Sequence, residues 1–159
     1  MKVFLDTNVL ASAVATRGLC VDVLREVLTS HELIISAALL KELKRVLQQK
    51  FKVPSSLISE SLNLLRQDTI LVKPVELPHV NIKDKDDLII LASALSGNAD
   101  LFVTGDKELL DLAKLEDLEI VSPRAFWEKL KSQPEQVSGN VVNYNILIWC
   151  FLLLIEQYF

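Results

Sequence analysis

The sequence predicts an α/β fold in which helices cover both faces of a central parallel sheet. Short apolar runs typical of buried strands alternate along the chain with longer segments of helical spacing. This alternation favours a parallel sheet, because two parallel neighbours need a crossover connection that is usually a helix. With 159 residues, 50% of them hydrophobic and 24% charged, the chain has the size and composition of one globular domain.

The first strand is predicted over residues 3–5. It ends at the polar residues 6–8, which suit a strand-to-helix turn and a helix cap. A short helix then runs to about Ala15, and residues 19–29 have the apolar spacing of a second helix. Asp6 is therefore expected at the carboxyl end of an early strand, the edge at which open α/β sheets bind ligands.

Cap and turn residues mark the ends of the later elements. Ser36 can cap a helix that follows the second strand, and Gly97 is a suitable stop for a buried helix. Pro123 suits the first position of the last helix. The remaining predicted strands cover residues 31–35, 70–72, 101–103 and 119–121, and the remaining predicted helices cover 37–50, 54–67, 86–96, 107–113 and 124–131.

Residues 132–159 differ in composition from the predicted domain, residues 1–131. All 17 Lys and Arg precede Ser132, and residues 146–155 form an unbroken apolar run of ten. A membrane-spanning helix needs about 20 such residues, so no membrane segment is predicted. The run is compatible with packing on the domain, with covering a partner subunit and with being non-native sequence, and the sequence leaves these alternatives open.

Charge and composition restrict the classes of function. A net charge of −4 argues against non-specific nucleic-acid binding by bulk charge, but bound cations can neutralise a carboxylate cluster, so a nuclease stays open. The two histidines and two cysteines have no metal-ligand spacing, and a zinc site or a Ser-His-Asp triad is poorly supported. Unpaired thiols and the lack of a signal-peptide pattern predict a reducing cytoplasm.

Four acidic residues occur where an α/β fold can bring them to one edge of the sheet. Asp6 and Asp106 each follow an apolar strand. Glu42 lies at the edge of an apolar helix stripe, about a quarter turn from its centre. Asp87 directly precedes the apolar residues 88–92, which predict a deeply buried helix. Taken singly, each acid has an ordinary explanation. Asp6 can cap a helix and Asp106 can be a turn residue. Glu42 can be a solvated carboxylate, and Asp87 a favourable charge at a helix N-terminus.

Taken together, carboxylates without lysine or histidine partners are typical of a site for a hard cation such as Mg²⁺ or Mn²⁺. Such an ion can activate water and stabilise phosphoryl oxygens in an in-line displacement.

In their order and spacing, these segments resemble the PIN domain family of metal-dependent ribonucleases, and specifically the VapC-like toxins of prokaryotic type II toxin–antitoxin pairs. The resemblance covers residues 2–131, and its specificity lies in the combination, since each segment is short. The matching segments are residues 3–8 (VFLDTN), 36–43 (SAALLKEL), 86–92 (DDLIILA), 103–106 (VTGD) and 120–126 (IVSPRAF).

The resemblance implies a three-layer α/β/α PIN-like fold and endoribonuclease activity with Mg²⁺ or Mn²⁺, in which a metal-bound water attacks the RNA phosphodiester. Asp86 is the alternative to Asp87 if the register differs by one residue. Carried over to this sequence, the catalytic residues and metal ligands would be Asp6, Glu42, Asp87 and Asp106, with Asn8 and Thr104 supporting them by hydrogen bonds.

The resemblance also implies partners. An RNA substrate and a separate antitoxin protein are expected, a homodimer is compatible with the family and with the apolar tail, and no membrane association is expected. Two alternatives remain: a non-catalytic PIN-like module that binds RNA or protein, and a phosphatase of another α/β class. Asn8 counts against the second, because it occupies the position where a haloacid-dehalogenase-like phosphatase has its second Asp.

Overall fold

The computed structural model describes residues 1–67 and 69–132, so the predicted tail and its apolar run lie outside the described residues. The strands are β1 (Lys2–Leu5), β2 (Glu32–Ser36), β3 (Ile70–Val72), β4 (Leu101–Val103), β5 (Lys114–Leu115) and β6 (Leu118–Val121). The helices are α1 (Thr7–Ala15), α2 (Leu19–Ser30), α3 (Ala37–Gln49), α4 (Ser55–Gln67), α5 (Lys85–Ser96), α6 (Lys107–Leu110) and α7 (Pro123–Ser132).

The strands form one sheet in the order β3-β2-β1-β4-β6-β5. Every neighbouring pair is parallel except β5 and β6, which are antiparallel. Because crossover connections are right-handed, the reversal of direction after β3 puts α5 on the face opposite α1 to α4. Helices therefore flank a mostly parallel sheet, and the predicted three-layer α/β/α fold is confirmed.

The central strands are short and fully buried. The apolar residues 3–5 of β1 and 101–103 of β4 are at most 2% exposed. Phe4 and Phe102 are register partners, and their rings stack with centroids 5.4 Å apart. A parallel strand buried on both faces is a continuous apolar run, which explains why the sequence pattern located these strands.

The strand order changes direction between β1 and β4. From β1 the chain moves outward to β2 and β3, and α5 then returns it across the sheet to β4 on the other side of β1. Ligands of open α/β sheets bind in the crevice at the carboxyl ends of the strands beside such a point. In this chain the residues that follow β1 and β4 are Asp6 and Thr104.

The helices bury their apolar faces as the periodicity predicts. Seven of the nine residues of α1 are buried, and the predicted deep burial of residues 88–92 holds for 90–92, whereas Leu88 and Ile89 are partly buried. Residues 90–94 of α5 are all buried. In the described part of the chain no single helix is long and apolar enough to span a membrane. The length and composition criterion is met only by Thr7–Ala15 and Leu19–Ser30 taken together, although these two helices are bent by 106°.

The predicted helix over residues 107–113 was wrong in its second half. The helix ends at Leu110, and β5 follows as a two-residue antiparallel partner of β6. Ala113 and Glu116 have φ angles of 56° and 54°, and these left-handed residues turn the chain on either side of β5. A two-residue strand is too short to show a periodic pattern, so the sequence did not indicate this antiparallel edge.

Candidate active site

Asp6 is held rigidly at the carboxyl end of β1. Its backbone N–H donates to the carbonyl of Val103 at 2.9 Å, which extends the β1–β4 ladder by one residue. One carboxylate oxygen accepts from the N–H of Thr7 at 2.7 Å, and the other accepts from the hydroxyl of Thr104 at 2.7 Å. Asp6 is only 4% exposed. Burial raises its pKa, the two hydrogen bonds oppose this rise, and the negative charge of Asp106 adds to it.

Thr104 connects Asp6 to Asp106. Its side chain is fully buried just after β4, and its hydroxyl accepts from the backbone N–H of Asp106 at 3.0 Å while donating to Asp6. Asp106 caps α6, since its Oδ1 accepts from two backbone N–H groups of that helix at 2.8 and 3.2 Å. The ends of two adjacent strands thus hold two carboxylates in one hydrogen-bonded unit.

Asp87 faces the same acidic residues from the first turn of α5. Its pKa is raised to about 7, chiefly because burial disfavours the charged form. The negative charges of Asp6, Asp84, Asp106 and Glu42 raise it further, in that order. All of these acids except Asp84 belong to parts of the fold other than the start of α5. The first turn of α5 therefore places Asp87 near the edge of the sheet at which β1 and β4 end.

Glu42 approaches from α3. Its side chain is 25% exposed, and its Oε1 lies 3.4 Å from a guanidinium nitrogen of Arg45, one turn further along the helix. Burial raises the pKa of Glu42, Arg45 opposes the rise, and the charges of Asp6 and Asp86 add to it. Glu42 is therefore within electrostatic reach of the group around Asp6.

The neighbouring acids Asp86 and Asp87 have different surroundings. Asp86 is exposed, and its negative charge helps to raise the pKa of Glu42. Asp87 is partly buried, and its pKa is raised by acids at the end of β1, on α3 and at the start of α6. This geometry favours Asp87 over Asp86 as the member of the acidic group, although its role as a ligand stays a prediction.

The two supporting residues also differ. Thr104 makes the hydrogen bonds described above. Asn8 is exposed, and the structure shows no hydrogen bond from its side chain to a described residue. Sequence reasoning did not predict the ion pair of Glu42 with Arg45, although a Glu followed three residues later by Arg on one helix is a recognisable ion-pair signal. It also missed Thr7, whose buried hydroxyl has no hydrogen-bond partner among the described residues.

Comparison with known proteins identifies the family. The sequence profile of the PIN domain matches residues 2–108. The chain belongs to the PIN domain family. A search of curated proteins gave no significant match. Among solved structures, a chain of the VapBC2 complex from Rickettsia felis, crystallised with a DNA fragment from its promoter, superimposes with a TM-score of 0.56 at 17% identity. The alignment covers 77% of this chain and 98% of that one.

This PIN domain thus has the fold that the sequence predicted, and membership of the family supports nuclease activity in general. At 17% identity the likeness to the VapBC2 chain shows a shared fold alone. The metal, the ligand roles of the four acids, the RNA substrate, the homodimer and the cytoplasmic setting all stay predictions.

The donor set of this PIN domain fits a hard divalent cation by its chemistry. Asp6, Glu42, Asp87 and Asp106 supply only carboxylate oxygens, and burial and mutual repulsion raise the pKa of three of them, which a cation would relieve. Among the described residues, however, no three acidic, histidine or cysteine side chains lie close enough to hold one ion together. Residues that would hold a cation must therefore draw together around it.

The hydrogen bonds indicate which side chains can make this movement. Asp6 and Asp106 are fixed by the backbone and by Thr104. Among the described residues, Glu42 is retained only by the 3.4 Å contact to Arg45, and the Asp87 side chain makes no hydrogen bond. Two carboxylates are thus fixed to strand ends, and two on α3 and α5 are free to adjust.

Proposed function

We propose that this PIN domain is a divalent-metal-dependent endoribonuclease that hydrolyses RNA phosphodiester bonds, and that it is the toxin of a toxin–antitoxin pair. The observation that carries the proposal is the convergence of Asp6, Asp87 and Asp106, with Glu42, on the sheet edge where strand order reverses. Like charges brought together from separate elements are unfavourable in a fold, and a function that requires a cation explains why this partly buried edge carries four of them.

The proposed roles follow from how each side chain is held. A bound Mg²⁺ or Mn²⁺ would supply an activated water and neutralise charge on the phosphate. Asp6 and Asp106 would fix the position of the ion, because the Thr104 hydroxyl and the backbone hold both carboxylates in place. Glu42 and Asp87 would close on the ion from α3 and α5, and the buried strand ends would exclude bulk water from one side of the site.

The toxin–antitoxin assignment is supported by the fold likeness to a chain of the VapBC2 complex. By analogy, a separate antitoxin protein is proposed as the partner that blocks the acidic site. If this is right, expression of the wild-type chain alone should arrest growth of a bacterial host, and Asp6→Asn should abolish the arrest at equal protein level. Arrest by both proteins would contradict a role for the site in toxicity.

The decisive experiment is RNA cleavage by purified protein, with Mn²⁺ and with EDTA, beside two variants. Asp6→Asn keeps the shape and an oxygen that can accept the cap hydrogen bond but removes the charge. Asp117→Asn makes the same chemical change at an exposed acid between β5 and β6 and serves as the matched control. Cleavage should require Mn²⁺, persist in Asp117→Asn and fall by at least about a hundredfold in Asp6→Asn.

Two results would contradict this function. Equal cleavage by Asp6→Asn and the wild type would place the activity elsewhere, or in a contaminant. A folded wild-type protein that binds Mn²⁺ and cleaves no RNA would instead favour the non-catalytic module that binds RNA or protein.

A further inference from the structure

A cavity adjoins the acidic group on the outer side of Glu42. It lies between α3 and α5 and has a volume of about 350 Å³. Lys41 and Arg45 contribute cationic side chains from α3, and Ile89 and Ile90 contribute aliphatic side chains from α5. Such a wall suits a ligand that is anionic on one side and apolar on the other. The other lining residues are Ala38, Glu42 and Asp86.

The charges of this cavity depend on the cation proposed above. Two cations face the carboxylates of Glu42 and Asp86, so the bare cavity is close to neutral. A divalent ion held by Glu42 would offset its charge and leave Lys41 and Arg45 in excess. An anionic ligand is therefore favoured once the neighbouring cation site is filled.

Arg45 is able to exchange its partner. Its contact with Glu42 is 3.4 Å long, and 58% of its side chain is exposed. An exposed ion pair of this kind contributes little to the stability of a protein, whereas a guanidinium on a phosphate makes stronger, two-pronged hydrogen bonds. Lys41 is exposed and has no ion pair among the described residues. Both cations are thus available to a phosphate at little expense to the fold.

We propose that this cavity is a nucleotide subsite, which takes one nucleotide of single-stranded RNA beside the bond to be cleaved. Lys41 and Arg45 bind the flanking phosphate, and the base or ribose lies against Ile89 and Ile90. The volume falls within the range of about 300–1,000 Å³ that is usual for small-ligand pockets. It accommodates one unstacked nucleotide and excludes a duplex, and a base can lie against the apolar wall only after it has left its stack.

This inference rests on the proposed nuclease function, so its test uses binding as well as cleavage. Binding of a fluorescent single-stranded RNA, made with phosphorothioate linkages that resist hydrolysis, is measured by anisotropy in Mg²⁺ buffer over a series of salt concentrations. The wild type is the parent protein, so that all four carboxylates of the proposed cation site are present. The added variants are Lys41→Ala, Arg45→Ala, Arg45→Lys and the control Lys44→Ala. Lys44 is an exposed neighbour of Arg45 on the same helix, about 100° round its axis, and does not line the cavity.

Lys41→Ala and Arg45→Ala should each weaken RNA binding about tenfold and lower the slope of log affinity against log salt by about 0.7. Arg45→Lys should keep the slope, because the charge remains, and Lys44→Ala should change neither quantity. In an otherwise wild-type background, the first two variants should raise the KM for single-stranded RNA. The same RNA annealed to its complement should bind all of the proteins more weakly and equally.

The outcomes separate the subsite from the activity. If the variants lower the slope and the wild type cleaves nothing, the subsite stands and the nuclease function fails. If the wild type cleaves and Lys41→Ala, Arg45→Ala and Lys44→Ala bind RNA alike, the subsite is overturned. It is also overturned if no RNA binds at the lowest salt, or if the cavity variants weaken binding of polyglutamate more than of RNA, since the cavity would then recognise an acidic peptide.

Discussion

The hydroxyl of Thr104 donates to Asp6 and accepts from the amide of Asp106, so one buried atom holds two candidate ligands in register. Thr104→Val keeps the shape of the side chain and removes both hydrogen bonds. It should lower the free energy of unfolding by about 2–3 kcal/mol, because a buried carboxylate loses its donor. Urea denaturation measures this loss.

Thr104→Ser is the matched control, since it keeps the hydroxyl and loses only a methyl group, at about 1 kcal/mol. A serine variant less stable than the valine variant would show that packing, not the hydrogen bonds, determines the role of Thr104.

Asp87 makes the metal-free protein less stable as the pH rises. Burial and the neighbouring acids raise its pKa to about 7 in the folded state, from 3.8 when it is unperturbed. The folded protein therefore binds a proton more tightly than the unfolded chain, so this contribution to stability is complete below about pH 4 and is lost as the pH rises through 7.

Asp87→Asn should remove this loss. In EDTA at pH 8 the variant should be more stable than the wild type by about 1–2 kcal/mol, after allowance for solvent screening of a half-exposed group. The gain should shrink steadily towards pH 4. Urea denaturation at several pH values measures it, and a gain that is constant with pH would contradict the raised pKa.

At the scale of the elements, the packing of α5 on the sheet can be tested by adding a single carbon atom at Gly97. A Cβ on Gly97 would lie 2.8 Å from one methyl of Ile34, and 3.2 Å from a methyl of Val72. Ile34 is β-branched and fully buried, so it has no space to yield. Gly97→Ala should therefore cost about 1–3 kcal/mol. The φ angle of Gly97 is −82°, so the penalty is steric and not a backbone strain.

Gly105→Ala is the control for this packing, because no atom of the residues that the structure describes lies within 4 Å of a Cβ built there. It should be close to neutral in thermal unfolding. If both alanine variants unfold at the same temperature, the close packing of α5 on β2 and β3 is not as described.

Element by element, the sequence patterns located the strands that are apolar runs, including the exposed β3 at residues 70–72, and missed β5, which has no such run. The runs at residues 3–5 and 101–103 are buried on both faces, and their apolar character is sufficient to predict them. Lys114–Leu115 is a short edge strand with one exposed and one partly buried residue. Left-handed residues on either side of it turn the chain, and a pattern of apolar residues does not reveal such turns. The predicted helix was therefore too long at this point.

At the scale of the whole molecule, the order of strands determines which acids meet. The sequence placed Asp6 and Asp106 at strand ends, and the parallel pairing of β1 with β4 makes those ends adjacent. Deciding between Asp86 and Asp87 requires the rotation of α5 against the sheet, and predicting the cavity beside Glu42 requires knowing where α3 and α5 approach each other. Both depend on contacts between segments distant in sequence, so local periodicity could not predict them.

The same whole-molecule argument predicts that a divalent cation stabilises the fold. Four carboxylates carried by different elements repel one another without a cation, and an ion that binds only the folded state adds RT ln(1 + [L]/Kd) to its stability. At a hundred times Kd this is about 2.7 kcal/mol, or a rise in Tm of about 5–10 °C for a chain of this length. Differential scanning calorimetry with Mn²⁺ and with EDTA measures the rise without any need for activity.

Matched variants show whether the rise belongs to this site. Asp6→Asn should lose most of it, because Asp6 is the acid held most rigidly at the strand edge, whereas Asp117→Asn should keep it in full. Asp87→Asn should begin from a higher Tm in EDTA and gain less from Mn²⁺, since asparagine has already removed part of the repulsion. An equal rise in all four proteins would place the ion elsewhere on the surface, and no rise in the wild type would refute the metal centre.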